Sequence, residues 1–530
     1  MHRLARELAK IPESSHALPL VFMFSAILMG ALYWVRLGAD LNFDGEIYIS
    51  AAFRYAMGMN NEGLAIYPMP LYPYLISLMH RVIPDWVLAA RLISYFSMTL
   101  AVIPLYRLST DLFNRRAAFW GCLAFTLLPE TLLHSNSVLR EPGFCLFFMW
   151  AIYFALKTIQ SKKLIHLFSS ALLGLFSTFF RIEGLIIFPI YFFILIALAV
   201  SKRDQSKDYF RLVLTWGGLS LFLIAAIQIG TESHGTIINR YNDWVISFRA
   251  LKDTSFLENY RHLYAQLQQM QEVSANNGIG QHFVETARNF MPLIYLLGML
   301  QMFFSTILAV NIIPLLWGLK RACYTERHVF VLISACCLFA LACGFFVLEN
   351  IILKRYLFLP AVLLCPWVGF GMDRILAFAQ RRSHTQAIVV CVLLLFFAMP
   401  AFEFDKYFKN TDNLRSTAGS WIARQEGLKS LKIVFNDQVV KFYTDMEIDV
   451  HGEKKTIPKL DASDMNCSKF ARFALENSVD LMVISARADM RKNITDFLGY
   501  IEIKEFNDEK KFIRLYISEE RFDSLENPHR

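Results

Sequence analysis

Apolar residues along this 530-residue chain gather into runs of roughly 18 to 25, the length that crosses a hydrocarbon core about 30 Å thick. The runs predict spans near 17–37, 86–106, 116–134, 142–157, 164–180, 184–200, 211–230, 292–318, 328–348, 356–377 and 386–402, about eleven in all. Backbone groups in lipid must be satisfied within each segment, so the pattern predicts a polytopic α-helical membrane protein. The first run follows Arg3, Arg6 and Lys10. It is too long for the apolar region of a signal peptide and reads as an uncleaved span.

Polar positions set the orientation. Basic residues precede span one and follow span two (Arg107, Arg115, Arg116) and span four (Lys157, Lys162, Lys163). They also follow span six (Lys202, Arg203, Lys207), span eight (Lys320, Arg321, Arg327) and span ten (Arg374, Arg381, Arg382). Every second connection is basic, which predicts a cytoplasmic N-terminus and a C-terminus on the outer side. The localisation expected is a multi-pass inner (plasma) membrane protein of a bacterium, its C-terminus in the periplasm. The outer side then holds a first loop (38–85), a turn at Asn136–Pro142, a turn at Arg181–Gly184, a loop over 231–291, the turn Glu349–Arg355 and everything after Phe404. Within 231–291 the polar run Asn239–Trp244 carries no sharp motif, and a Gln-rich stretch, Tyr260–Glu272, reads as helical.

The two domains expected are a transmembrane domain, 1–404, and a soluble one, 405–530. In the second, Leu431–Phe435, Val479–Ile484, Ile501–Phe506 and Phe512–Ile517 read as short strands, the last two joined by a turn at Asn507–Glu509. Trp421–Ala423 and Phe470–Leu475 fit intervening helices, so the tail is predicted to be a small α/β domain.

Composition agrees with a membrane protein: 55% of residues are hydrophobic and 15% aromatic. The formal net charge of +8 does not indicate nucleic acid, because the Lys and Arg sit in short loops between spans rather than in one basic run. Most of the nine cysteines lie inside apolar runs and no CxxC pair occurs, so neither a disulfide framework nor a zinc site is predicted.

Charged residues on the outer side form four clusters: Asp44, Glu46, Tyr48 and Arg54; His134, Asn136, Arg140 and Glu141; Arg181 and Glu183; and Lys354, Arg355 and Tyr356. Long cationic side chains at span ends often snorkel to the interface, and Arg181 and Glu183 can simply pair with each other. Taken as one site at the membrane surface, the clusters suit a substrate with an anionic head and an apolar tail. The planar guanidinium of Arg binds two phosphate oxygens at once, and a carboxylate beside it can act as general base on an acceptor hydroxyl. Asp44 and Glu46 would share a face in an extended segment, whereas on a helix positions i and i+2 point about 200° apart.

The stretch Asp44-Gly45-Glu46-Ile47-Tyr48, with Ala51 beyond, resembles the acidic first-loop motif of the C-superfamily (GT-C) integral membrane glycosyltransferases, in the protein mannosyltransferase and aminoarabinose transferase branch. Tyr67-Pro68-Met69-Pro70-Leu71-Tyr72-Pro73-Tyr74-Leu75 is similar to that branch's proline-rich loop segment, and Ala90–Ser94 to the start of its second span. Ser135–Pro142, Arg181-Ile182-Glu183-Gly184 and Arg355–Pro360 also fit, so the resemblance covers roughly residues 17 to 400 in order. Gly45 separates two acids that are adjacent in protein mannosyltransferases, which leaves Asp44 and Glu46 as alternative bases.

The resemblance implies an inverting transferase that moves a sugar from a polyprenyl-phosphate-linked donor to an acceptor hydroxyl of a protein, lipid or glycan on the outer face. It implies Asp44, Glu46 and Glu141 as catalytic residues. Tyr48, Arg54, Arg140, Arg181, Glu183, Lys354, Arg355 and Tyr356 would bind substrate. Charge on the leaving lipid phosphate would be met by Arg355 with Lys354 or Arg181, and a divalent cation could share that role; the residues themselves name no metal site. Two other readings compete: a lipid-linked glycan ligase or polymerase with a diphosphate donor, and a transporter or flippase of lipid-linked sugars. The latter should show acids or broken helices at mid-span, whereas here the charges collect at one face.

Overall fold

The computed structural model describes residues 14–36, 39–232, 257–273, 278–349, 353–380, 413–425, 428, 431–450, 467–491, 497, 499–508 and 510–526. The chain divides into two compact units, one of Met1–Trp34 with Tyr48–Lys406, the other of Val35–Ile47 with Tyr407–Arg530. The short segment 35–47 therefore leaves the surrounding chain and groups with the C-terminal residues.

Among the described residues of the first unit, six helices are long and apolar enough to span a membrane: Ala17–Val35, Trp86–Leu112, Glu141–Ser161, Ile182–Ser201, Glu326–Leu348 and Lys354–Phe378. Leu164–Phe180 and Ser206–Glu232 are further apolar helices on predicted spans. The predicted span 386–402 lies outside the described residues.

Two predicted spans are broken. The first divides into Arg115–Leu127 and Pro129–Ser135, with Leu128 extended between them (φ −62°, ψ 130°), because a residue before proline is disfavoured in the helical region. The second divides into Met291–Ile307 and Ala309–Arg321 at Leu308, whose φ is +69°. No residue type at that break announces it.

The stretch 38–85 is not the loop expected from its polar and aromatic residues. It carries the helices Phe43–Ala56, Asn60–Ile66 and Leu71–His80. The first ends at Gly58 (φ +76°), a left-handed position that glycine takes without strain. Asp85 then caps the next span by accepting from the Leu88 amide at 2.8 Å. In the loop 231–291, Glu258–Val273 matches the Gln-rich helix; Asn239–Trp244 lies outside the described residues.

Glycines lock the helix that presents the Lys354–Tyr356 cluster. A Cβ at Gly369 would overlap the Ala117 carbonyl, and one at Gly371 the Pro314 carbonyl. Helix Lys354–Gln380 thereby packs backbone against backbone between Arg115–Leu127 and Ala309–Arg321, the close approach that small residues permit in a membrane.

The second unit holds a four-stranded sheet, β1 (Ile433–Phe435), β2 (Leu481–Arg487), β3 (Tyr500–Asn507) and β4 (Lys511–Ser518), in the order β1-β2-β4-β3. β1 and β2 are parallel; β4 runs antiparallel to both β2 and β3. Ile433, Leu481, Val483, Ile513 and Leu515 face one core with Ala418, Ile422 and Val440. Val434, Met482, Ile484, Phe512 and Tyr516 face the other with Ala474 and Val479. Burial on both faces explains the unbroken apolar run Leu481–Ile484. The two carboxylate oxygens of Asp40 accept from the backbone amides of Arg415 (2.9 Å) and Ser416 (3.0 Å), at the start of helix Leu414–Arg424. A residue distant in sequence thus supplies the cap that the helix's own N-cap, Asn413, does not.

Candidate active site

Three sequence clusters meet in the first unit. Glu141 opens helix Glu141–Ser161, with Pro142 in the first turn, where its missing amide costs nothing. Arg181 lies in extended conformation between Leu164–Phe180 and the short 3₁₀ turn Ile182–Ile186. The Phe180 ring occupies the space where a Cβ on Gly143 would sit, so the two elements approach closely enough for Arg181 to reach Glu141. Its Nη1 donates to Glu141 Oε1 at 2.6 Å, its Nε to Glu183 Oε2 at 3.2 Å, and its Nη2 to Glu183 Oε1. All three residues are buried. A lone buried charge would be costly, and one guanidinium fork here satisfies two carboxylates.

Aromatic rings frame the guanidinium, with Tyr356 at 5.2 Å and Phe144 at 5.7 Å from Arg181 Cζ. Arg355 lies 5.5 Å from the Tyr356 ring. Glu141, Arg181, Glu183, Arg355 and Tyr356 line a pocket whose opposite wall is apolar, with Leu338, Leu341, Ala342 and Phe345 from helix Glu326–Glu349. Lys354 stands beside it, 3.9 Å from Glu130, and Glu130 in turn lies 3.4 Å from the buried His134.

Arg140 reaches the Tyr67 hydroxyl and stacks over its ring at 5.5 Å. Tyr67 packs edge-on against Tyr48 (4.8 Å), which also meets Tyr72 (5.4 Å). Tyr72 shares a hydrogen bond with Ser94 (3.0 Å), whose hydroxyl donates to the Leu139 carbonyl at 3.2 Å. The proline-rich segment thereby fixes the turn that carries Arg140 and Glu141.

Other candidates fall elsewhere. Arg54 pairs with the exposed Glu62 at 3.5 Å and contacts Met59, apart from the buried cluster. Asp44 and Glu46 sit in the first turn of helix Phe43–Ala56, within the segment that groups with the second unit. They are on a helix, so their side chains point apart, and the helix's positive end favours both charges. Arg181, expected among the phosphate ligands, is already held by two carboxylates. Glu130 was hidden inside a predicted span, and the apolar wall of Leu338 to Phe345 carried no signal beyond span hydrophobicity. Among the described residues there is no group of three or more His, Cys, Asp or Glu arranged to hold a metal ion.

The fold has counterparts among solved structures. The solved structures of ArnT from Cupriavidus metallidurans align with 94–95% of this chain and 98% of theirs. The apo form aligns at TM-score 0.54 and 14% identity, the form bound to undecaprenyl phosphate at 0.52 and 12%. The Archaeoglobus fulgidus oligosaccharyltransferase tethered to an acceptor peptide aligns at TM-score 0.53 and 12% identity, covering 90% of this chain and 70% of its own. Residues 67–227 match the family model described as dolichyl-phosphate-mannose-protein mannosyltransferase. No curated protein sequence matches the chain. The chain has the GT-C fold: a multi-pass integral membrane helical bundle followed by a small α/β region.

Proposed function

We propose that the chain is a glycosyltransferase that takes a sugar from a polyprenyl-phosphate donor and transfers it, with inversion, to an acceptor hydroxyl on the outer face of the membrane. The observation that carries this reading is the pocket where Arg355 and two carboxylates face an apolar helix wall. A lipid phosphate needs both halves, a cation for the head and a greasy surface for the first isoprene units. Beside it, Arg181 pairs with Glu141 and Glu183, and Lys354 lies 3.9 Å from Glu130.

In the proposed reaction Asp44, or alternatively Glu46, removes the proton of the acceptor hydroxyl. The oxygen attacks the anomeric carbon as the bond to the phosphate oxygen breaks, and Arg355 with Lys354 stabilises the charge gathering on the lipid phosphate. Arg181 acts through Glu141 and Glu183, holding both in place to orient the sugar.

Support comes from the match of residues 67–227 to a family of mannosyltransferases and from a like-folded protein solved with undecaprenyl phosphate bound. Mass spectrometry of lipid-linked sugars in a deletion strain tests the donor class. Accumulated monophosphate-linked sugar is the expected result; accumulated diphosphate-linked oligosaccharide would instead favour a ligase. A reporter fused to the C-terminus tests orientation, since the proposed site requires residues 407–530 outside the cytoplasm.

A further inference from the structure

Helix Gly278–Asn289 ends on a sharp corner: from Gly280 on, it meets the following helix, Met291–Ile307, at 72°. Phe290 belongs to both. Its amide donates to the Thr286 carbonyl at 3.0 Å, and its carbonyl accepts from the Ile294 amide at 2.9 Å. Helical spacing therefore carries one face around the corner. Phe283 and Phe290 lie two turns apart on the first helix, and Leu293 and Leu297 continue that side along the second. All four are exposed, Phe283 at 73%. Exposed leucines on a membrane span face lipid. The lipid-facing stripe of the span thus continues onto the helix that precedes it. The side of that helix away from Phe283 is polar, where the exposed His282 lies 3.9 Å from Glu285.

A second tie fixes the level of this corner. Met291–Ile307 and the span Glu326–Leu348 run antiparallel, because Tyr295 meets Phe346 at 4.7 Å and Phe303 meets Phe339 at 5.1 Å. Phe290 and Leu348 therefore stand at the same membrane boundary. Helix Glu258–Val273 packs along Gly278–Asn289, with the Tyr264 ring 5.6 Å from Arg288 Cζ. It is bonded at that boundary too: the Asn259 carboxamide donates to the Leu348 carbonyl, and Tyr260 meets Tyr295 at 5.7 Å. Spans lie closer to the bilayer normal than to its plane, so a helix at 72° to one runs near the membrane surface.

We propose that Glu258–Val273 and Gly278–Asn289 form an interfacial element whose partner is the lipid surface, with the Phe283 and Phe290 rings seated among head groups and upper acyl chains. The contact rests on the span beneath it and not on the transferase reading. In the orientation read from the basic loops it lies on the outer leaflet. The charges of the pair are of both signs, Arg261 and Arg288 against Glu258, Glu272 and Glu285. The attachment is therefore apolar and needs no anionic lipid.

The test is fluorine NMR on the full chain in phosphatidylcholine nanodiscs. A trifluoromethyl-phenylalanine replaces Phe283 in one sample and His282 in another, each with an unchanged thermal transition. Two relaxation agents are compared: a phosphatidylcholine with a nitroxide high on its acyl chain, and a water-soluble gadolinium chelate. Interfacial helices bury their apolar face about 5–10 Å into the boundary of head groups and acyl chains. The ratio of lipid-borne to aqueous relaxation should therefore be several-fold larger at position 283 than at 282. Equal ratios overturn the proposal. So does a reporter at 283 shielded from both agents, which would put protein, a second copy included, over Phe283. Replacing part of the phosphatidylcholine with phosphatidylglycerol should leave the ratio at 283 unchanged; lipid relaxation that appears only with the anionic lipid would make the attachment electrostatic and overturn the apolar contact. No sugar transfer is measured, so failure of the transferase reading leaves this contact standing, and failure here leaves that reading standing.

Discussion

Arg181 is the residue on which the buried cluster turns, and replacing it with glutamine should be among the most damaging single changes in the first unit. The side chain is 3% exposed, and its partners Glu141 and Glu183 are 1% and 10% exposed. Glutamine cannot neutralise either acid, so two carboxylates remain buried without a counter-charge. Removing one partner of a buried ion pair costs about 3–5 kcal/mol, and two stranded acids place Arg181→Gln at the upper end of that range. Lysine keeps the charge but lacks the fork, so it can serve one carboxylate well and not both; its cost should be about 1.5–3 kcal/mol, that of one lost charged hydrogen bond. The assay is equilibrium unfolding in mixed micelles titrated with SDS and followed by far-UV circular dichroism. Adding Glu183→Gln to Arg181→Gln should recover part of the loss, because it removes one of the stranded charges. A cost below about 1 kcal/mol for Arg181→Gln, the level of an exposed pair, would refute the claim that this triad is a desolvated structural unit.

Two further predictions follow from other residues. Arg355→Ala should severely reduce use of a polyprenyl-phosphate donor and Arg355→Lys should restore it only in part, since lysine lacks the bidentate fork; unchanged donor kinetics in a folded Arg355→Ala protein would remove Arg355 from the phosphate site. Asp40→Ala should destabilise the second unit by about 0.5–2 kcal/mol, the usual worth of a helix cap, read from the thermal transition of the full chain. Burial pushes the Asp40 carboxyl above the usual carboxylate range against the pull of the Arg415 and Ser416 amides. With the folded value raised, its contribution to stability is largest below the unfolded carboxylate range and falls as pH rises through the folded value. Asp40→Asn should therefore flatten that pH dependence, and an unaltered profile would contradict it.

Much of this architecture was legible in the sequence because spans and strands write their burial directly into hydrophobicity. The runs from 17–37 to 356–377 each coincide with a helix or a broken pair, and the four strands of the tail fall where their apolar residues predicted. The kink at Leu128 was readable in Pro129, whereas the break at Leu308 sits inside an uninterrupted apolar run. The stretch 38–85 was misread because its helices, of 14, 7 and 10 residues, are too short to stand out as runs, and three of its tyrosines, Tyr48, Tyr67 and Tyr72, are held by tertiary ring packing. Three of the four charged clusters read from the sequence meet in the first unit, but the sequence did not show them as a set of partners. Sequence alone left Arg181 either a phosphate ligand or a paired charge, and only the approach of Phe180 to Gly143 shows that Glu141 joins the pair. Nothing near Asp40 in the chain signals that it caps a helix beginning at Leu414.

The central claim is tested most directly by single-turnover sugar transfer. The purified chain, reconstituted with a radiolabelled polyprenyl-phosphate sugar and acceptor-containing membrane extract, is compared with Asp44→Asn and Glu46→Gln. The account predicts that the wild type moves label from lipid to acceptor. It predicts that Asp44→Asn still binds donor while transfer falls by at least about 10², the lower end of what a general base contributes. Label that never leaves the lipid in the wild type would contradict the account. So would an Asp44→Asn protein within about tenfold of wild type while Glu46→Gln is equally active; an inactive Glu46→Gln beside an active Asp44→Asn would move the base two residues along the same helix.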